Sequence, residues 1–160
     1  MLSRKDLTRM IWRYANTSPD GWFGYHLGLR LAEFGGTLDI RRVDALESEV
    51  ATTVPKGMCN PDGRVCLAAA VALADEVSTF AGVVPWDKRC RPGASVQLSA
   101  QAYRPLDVAA GEQLVFGTKK VKMGANLAYV DVNIFNASGT RLAFVKVLTG
   151  PRCLQLEREH

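Results

Sequence analysis

Two histidines and four cysteines are all the soft metal ligands that this chain of 160 residues has. Cys59, Cys66, Cys90 and Cys153 form no CxxC pair, His26 lies far from all of them and His160 has only Cys153 nearby, so no zinc site is expected. A run of about 20 apolar residues is also missing, which argues against a transmembrane helix. No stretch has the layout of a secretory signal peptide, so reduced thiols in an intracellular compartment are the default expectation. Nor is there a long block of one charge. The net charge of +4 comes from Lys and Arg spread along the chain. Nucleic acid is therefore not demanded, and an anionic small ligand suits the balance equally well.

What is present is enough apolar surface for one core: 48% of the residues are hydrophobic, in a chain of single-domain length. The first stretch, "MLSRKDLTRMIWRYANTS", puts Leu2, Met10, Ile11 and Tyr14 near one helical face, with Arg4, Lys5, Arg9 and Arg13 around it. This amphipathic basic helix, residues 1–20, reads either as a mitochondrial import segment or as an ordinary first helix, the second because Asp6 interrupts the basic bias. The mitochondrion is favoured over the cytoplasm on this reading. From 20 to 36 the signals conflict, since Phe23, Tyr25, Leu27, Leu29 and Leu31 alternate as in a strand while Gly35-Gly36 suits a helix end. "TLDIRRVD" and "LESEVATTVP" read as two strands joined near Asp44-Ala45, the second closed by Pro55.

Next comes "NPDGRVCLAAAVALAD", a polar turn running into an apolar helix predicted over about 65 to 83. Ala68 to Leu73 build a small-residue surface suited to close packing, and Asp75 follows as either an exposed edge residue or a placed acid. After Pro92-Gly93, "ASVQLSAQAYR" alternates with period two and is predicted to bury Val96, Leu98, Ala100 and Ala102. "EQLVFGTKKVKM", "NLAYVDVNIFN" and "TRLAFVKVLTG" are separated by "GAN" and "ASG", which suit tight antiparallel turns. The expected ending is a meander of three hairpins. The fold class is α+β, with one long helix covering a face of an antiparallel sheet of about six strands.

That order, together with the helix motif, resembles the hotdog-fold acyl-CoA thioesterases, and is most similar to the small eukaryotic members related to the bacterial phenylacetate-pathway enzymes. The likeness spans residues 21–153, with 154–160 as a tail. The family pattern is an Asn, a His-Gly-Gly six residues on, and an Asp within Leu-Ala-Asp or Leu-Val-Asp; Asn60 and Leu73-Ala74-Asp75 keep that frame without a gap. Ser95 falls where some members carry a Ser that helps hold the water. The resemblance implies a long helix wrapped by the sheet, no cofactor beyond the coenzyme A of the substrate, and a second hotdog subunit, as a homodimer, a tetramer or a pairing with a related chain. It also implies a site across a two-fold interface, with the Asn and helix start from one subunit and the Asp from its partner.

Thioester hydrolysis needs donors for the oxygen that becomes an oxyanion, and the N–H groups at a helix start supply them in fixed orientation; Cys66 and Leu67 sit there. It also needs a carboxylate to activate, orient or replace a water, for which Asp75 is the candidate, Glu76 lying on another face. Asn60 reads as a group hydrogen-bonding the substrate carbonyl or the water, or else as the turn residue of "NPDG". Ser95 is the support for the water. Lys88, Arg89, Arg91, Lys119, Lys120 and Lys122 are candidates for the phosphates of coenzyme A, or else belong to a solvated strand edge and loop. Cys66 has no His within the motif to activate it, so a small thiol packed in the domain suits it better than a nucleophile.

One departure bears on activity. Cys66-Leu67-Ala68 stand where the family has His-Gly-Gly, and glycine there lets the thioester approach the backbone closely. Two functions of different class follow. One is an acyl-CoA thioesterase. The other is a catalytically degenerate hotdog subunit with a structural role in a larger protein assembly, for which the mitochondrion is a candidate location.

Overall fold

Leu114, Phe116 and Thr118 are buried on one face of their segment, while on the other face Val115 is buried, Gly117 half-buried and Lys119 exposed, so the segment is a strand with one face wholly on a core. The computed structural model describes residues 38–43, 46–78, 90–124 and 127–153. In chain order these form β1 (Leu38–Val43), β2 (Glu47–Thr53), a 3-10 turn (Lys56–Met58), α1 (Leu67–Val77), β3 (Cys90–Ala102), β4 (Gln113–Met123), β5 (Ala128–Asn136) and β6 (Arg141–Cys153). The six strands make one antiparallel sheet in the order β1-β2-β4-β5-β6-β3.

The helix lies across this sheet. Ala70, Leu73, Ala74 and Val77 are its buried residues, at the i, i+3, i+4, i+7 spacing of one helical face, and they pack on Phe116, Val130, Val132, Ile134, Val145 and Val147. The two alanines keep the helix close, and Leu73 and Val77 each contribute about 1.5–3 kcal/mol of apolar burial. Ser48 and Thr118, both buried on facing strands, hydrogen-bond one another through their hydroxyls, which removes the cost of burying either alone.

Among the described residues the structure has the expected α+β arrangement, a helix laid on a six-stranded antiparallel sheet. The helix begins at Leu67, two residues later than expected, because Cys66 keeps extended backbone as its N-cap. Residues 79–83, the N-terminal helix, the 20–36 stretch and the tail fall outside the described residues. Two expectations are corrected. β3 and β4 do not pair, so the ending has two hairpins instead of three, and β3 crosses to lie beside β6. And the apolar face of β3 is not buried within the chain: Val96 is 62% and Leu98 43% exposed. Among the described residues β3 is an edge strand with a neighbour on one side only, and a register shift between Ser95 and Gln97 leaves Val96 without a partner on β6.

The segment from 103 to 112 makes the crossing from β3 to β4 and anchors the start of the helix. It buries Leu106 and Val108, accepts a hydrogen bond from Val65 N–H at the Val108 carbonyl (2.9 Å), and carries Asp107 into an ion pair with Arg64 (3.1 Å). At its end Val54 N–H donates to the Glu112 carbonyl and Gly111 N–H to the Val54 carbonyl.

Candidate functional site

The turn before α1 is built by Asn60. Its N–H donates to the Arg64 carbonyl (2.7 Å), its carbonyl accepts from Gly63 N–H (2.9 Å), and its side-chain Oδ1 accepts from Arg64 N–H (3.0 Å). Gly63 takes φ of 77°, the left-handed conformation this turn requires. The same device recurs at Asn136 between β5 and β6, with Gly139 at φ 81°, Gly139 N–H on the Asn136 carbonyl and Thr140 N–H on Asn136 Oδ1. Asn60 is thus a turn residue by its oxygen. Its amide NH2 is the end that Arg64 does not engage.

Cys66 N–H donates to the Met58 carbonyl (3.0 Å), so that donor is held inside the chain. The first bond of the helix runs from Ala70 N–H to the Cys66 carbonyl (3.1 Å), which places the N–H groups of Leu67, Ala68 and Ala69 ahead of any intrahelical acceptor. Of the two expected donors, Leu67 therefore opens the set that points out of the helix, and Cys66 does not contribute its N–H. No acidic residue occupies the first turn, so nothing on the helix offsets the positive end of its dipole. The Leu67 side chain, however, stands 37% exposed at this same end. Nearby Cys59 has its thiol pushed up, by burial first and by Cys66 second, against a lowering backbone hydrogen bond from Ala110. A thiol so shifted stays protonated and is not a nucleophile.

Asp75 lies in the last helical turn, and Ser95 on β3 donates its hydroxyl hydrogen bond to Asp75 Oδ1 at 2.5 Å. Ser95 faces Asp75 because it is in register with Thr149, whose side chain is fully buried under the helix; Thr149 Oγ1 in turn donates to the Ala94 carbonyl at 3.5 Å. The carboxylate sits at the negative end of the helix dipole, a position that disfavours its charge by about 0.3–1 kcal/mol, and the Ser95 bond opposes that. Adjacent Glu76 points to another flank and is pushed up to about 8, by desolvation first and by the charge of Asp75 second. Glu76 is the titratable group the sequence reading passed over; its signal was its place in "LADEV", at the negative end of a mostly apolar helix.

Of the expected cations, the sheet register places three. Lys119 and Lys122 are in register with Asp131 and Tyr129 of β5, whose side chains alternate away from the buried Val130 and Val132, so both lysines lie on the sheet face opposite α1. Lys120, in register with buried Val130, is on the helix side. Lys88 and Arg89 lie outside the described residues, and of Arg91 only the strand position is described. Among the described residues no cluster of His, Cys, Asp and Glu suits a metal ion, and no helix is long and apolar enough to cross a membrane.

No family model matches the sequence, and no curated protein matches it. Solved structures do. Thioesterase superfamily member 2 from mouse superposes with a TM-score of 0.69 at 21% identity, over 94% of this chain and 98% of that one. Its zebrafish counterpart gives 0.72 at 19%, over 94% and 99%. A hypothetical thioesterase protein from Streptococcus pneumoniae, solved with coenzyme A, gives 0.65 at 18%, over 77% and 91%. With near-complete overlap in length and the same helix laid on the same antiparallel sheet, the chain has the hotdog fold of the thioesterase superfamily structures.

Proposed function

We propose that this chain binds an acyl-CoA thioester and hydrolyses it with Asp75 as general base. The observation that carries the reading is the Ser95–Asp75 hydrogen bond at 2.5 Å, which joins the helix to the edge strand in a fold shared with a protein solved with coenzyme A. A carboxylate has about four acceptor positions, enough to hold a water beside its protein partners. In the proposed step Asp75 takes a proton from that water, the oxygen attacks the thioester carbonyl carbon, and the C–S bond breaks. The proton then passes to the departing thiolate. Leu67 N–H and the helix dipole stabilise the oxyanion, and the Asn60 NH2 is the second candidate donor.

The site is completed, on this reading, by a second copy. Val96, Leu98 and Tyr103 leave an apolar surface along the open edge of β3, beside the strand position of Ser95, and edge pairing of two copies covers it. A thiol-release assay of the purified chain against acyl-CoA esters of graded length tests the proposal, since release abolished by Asp75→Asn is expected and release indifferent to that change overturns it. The second reading, a degenerate subunit of a larger assembly, is favoured by Leu67, whose side chain occupies the helix start where the family pattern has glycine. Absence of thiol release at every chain length, with acyl-CoA binding retained, supports it. A mitochondrial location belongs to the proposal and is tested by imaging the tagged full chain.

A further inference from the structure

The sheet face opposite α1 carries a pocket of about 320 Å³ that the hydrolytic reading does not use. It is built from two register rows. One is Tyr129, Leu148 and Gln97 on β5, β6 and β3; the other is Asp131, Lys146 and Ser99 on the same strands. Val130 and Val147 turn their side chains into the core and offer only backbone to the floor. Val121, thrown outward by the register shift between Lys120 and Lys122, overhangs one end and is 57% exposed. The pocket thus has an apolar end, with the Tyr129 ring, Leu148 and Val121, and a polar end one row along.

At the polar end, opposite charges in direct register normally pair across strands. Asp131 and Lys146 are such partners, yet no ion pair joins them. Lys146 instead lies near the Phe144 ring, its Nζ 5.9 Å from the centroid. The pocket therefore presents a half-buried carboxylate and an ammonium separately, with the Ser99 hydroxyl and the Gln97 amide beside them. We propose that this pocket binds a small zwitterion with an apolar body, of the size and chemistry of an aromatic α-amino acid. Its ammonium meets Asp131, its carboxylate meets Lys146, and its side chain lies against Tyr129, Leu148 and Val121.

Three features favour this class over others. The volume is at the low end of small-molecule sites, roughly 300–1,000 Å³, which suits a single amino acid and not a coenzyme A ester. A purely anionic ligand leaves Asp131 facing a negative charge, and a purely cationic one leaves Lys146 facing a positive charge. An uncharged apolar ligand leaves both charges at a desolvated rim without partners. The inference does not depend on thioester hydrolysis, because none of these side chains shares a face with Asp75.

The test uses L-phenylalanine as the probe on the full chain, with binding followed by calorimetry and by chemical shifts of the Tyr129 and Lys146 resonances. Saturable binding with Kd of about 1 mM or tighter is expected, together with shifts confined to β5, β6 and β3. Asp131→Asn and Lys146→Gln should each weaken it about tenfold, as expected for losing one charge-assisted hydrogen bond. Phenylalanine methyl ester and 3-phenylpropionate, which lack one charge each, should be weaker by a similar factor. No saturation by about 10 mM overturns the proposal, as does equal binding of either single-charge analogue or unchanged affinity in both variants. Tyr129→Ala, at a surface position, keeps the apolar contact testable on a folded chain and should also weaken binding.

Discussion

Ser95 Oγ donates to Asp75 Oδ1 across the gap between the edge strand and the end of the helix. The bond ties the candidate base to the strand whose apolar face is open, so orientation of the carboxylate and pairing of that edge are linked.

If Asp75 is the base, Asp75→Asn lowers turnover by at least about 100-fold, the lower range for a general base, with little change in KM. Ser95→Ala lowers it less, because the carboxylate remains and only its orientation is loosened. The double variant should be no worse than Asp75→Asn alone, since the serine acts through the aspartate. Steady-state kinetics of the three variants check this, and full additivity separates the two residues.

Asn60→Asp distinguishes the turn from the chemistry. A carboxylate still accepts the Arg64 N–H bond, so thermal stability should change by less than about 0.5 kcal/mol. The NH2 is lost, and if it contacts the thioester carbonyl, turnover falls about 100- to 1,000-fold. Asn60→Ala should lose both. The matching change Asn136→Asp, in the equivalent turn between β5 and β6, should leave turnover alone.

Replacing Cys66, Leu67 and Ala68 by His, Gly and Gly reopens the helix start. Activity should rise, because the Leu67 N–H persists as a donor and its side chain no longer stands in front of it. The glycines cost on the order of 1 kcal/mol each, measurable as a lowered unfolding midpoint. A folded triple variant that binds acyl-CoA and releases no thiol favours the structural-subunit reading.

Glu76 makes stability fall as pH rises. Below its ordinary value of 4.5 the group is protonated folded or unfolded; between 4.5 and about 8 only the folded chain keeps the proton. The unfolded state is therefore favoured progressively across that window, and the full penalty stands above it. Glu76→Gln removes the ionisation, so its advantage over the parent chain should grow from pH 4.5 to 8, reaching on the order of a few kcal/mol in denaturant titrations.

Charges on the open edge test the proposed pairing. Val96→Lys with Leu98→Lys should yield a smaller species by light scattering while circular dichroism keeps the sheet, since both side chains are exposed in the single chain. If the site needs two copies, thiol release is lost with the change in mass.

The sequence by itself determined the elements: extended patterns marked strands within 37–55 and within 94–150, and the small apolar run from Ala68 to Leu73 marked the helix. These are local signals, because side-chain direction repeats every two residues in a strand and every 3.6 in a helix. The frame from Asn60 to Asp75 was legible only through the resemblance to the family motif. Which strands meet was decided only by tertiary structure. β3 joins β6 across some 50 residues of chain, a pairing no local period encodes, and that placement leaves Val96 and Leu98 uncovered and brings Ser95 onto Asp75. A one-residue irregularity near Lys120 likewise decided that Lys119 and Lys122 face away from the helix while Lys120 faces it. And whether Asn60 serves the turn was settled by a bond from Arg64 N–H that depends on Gly63 adopting positive φ, a geometry that composition permits and only the folded backbone realises.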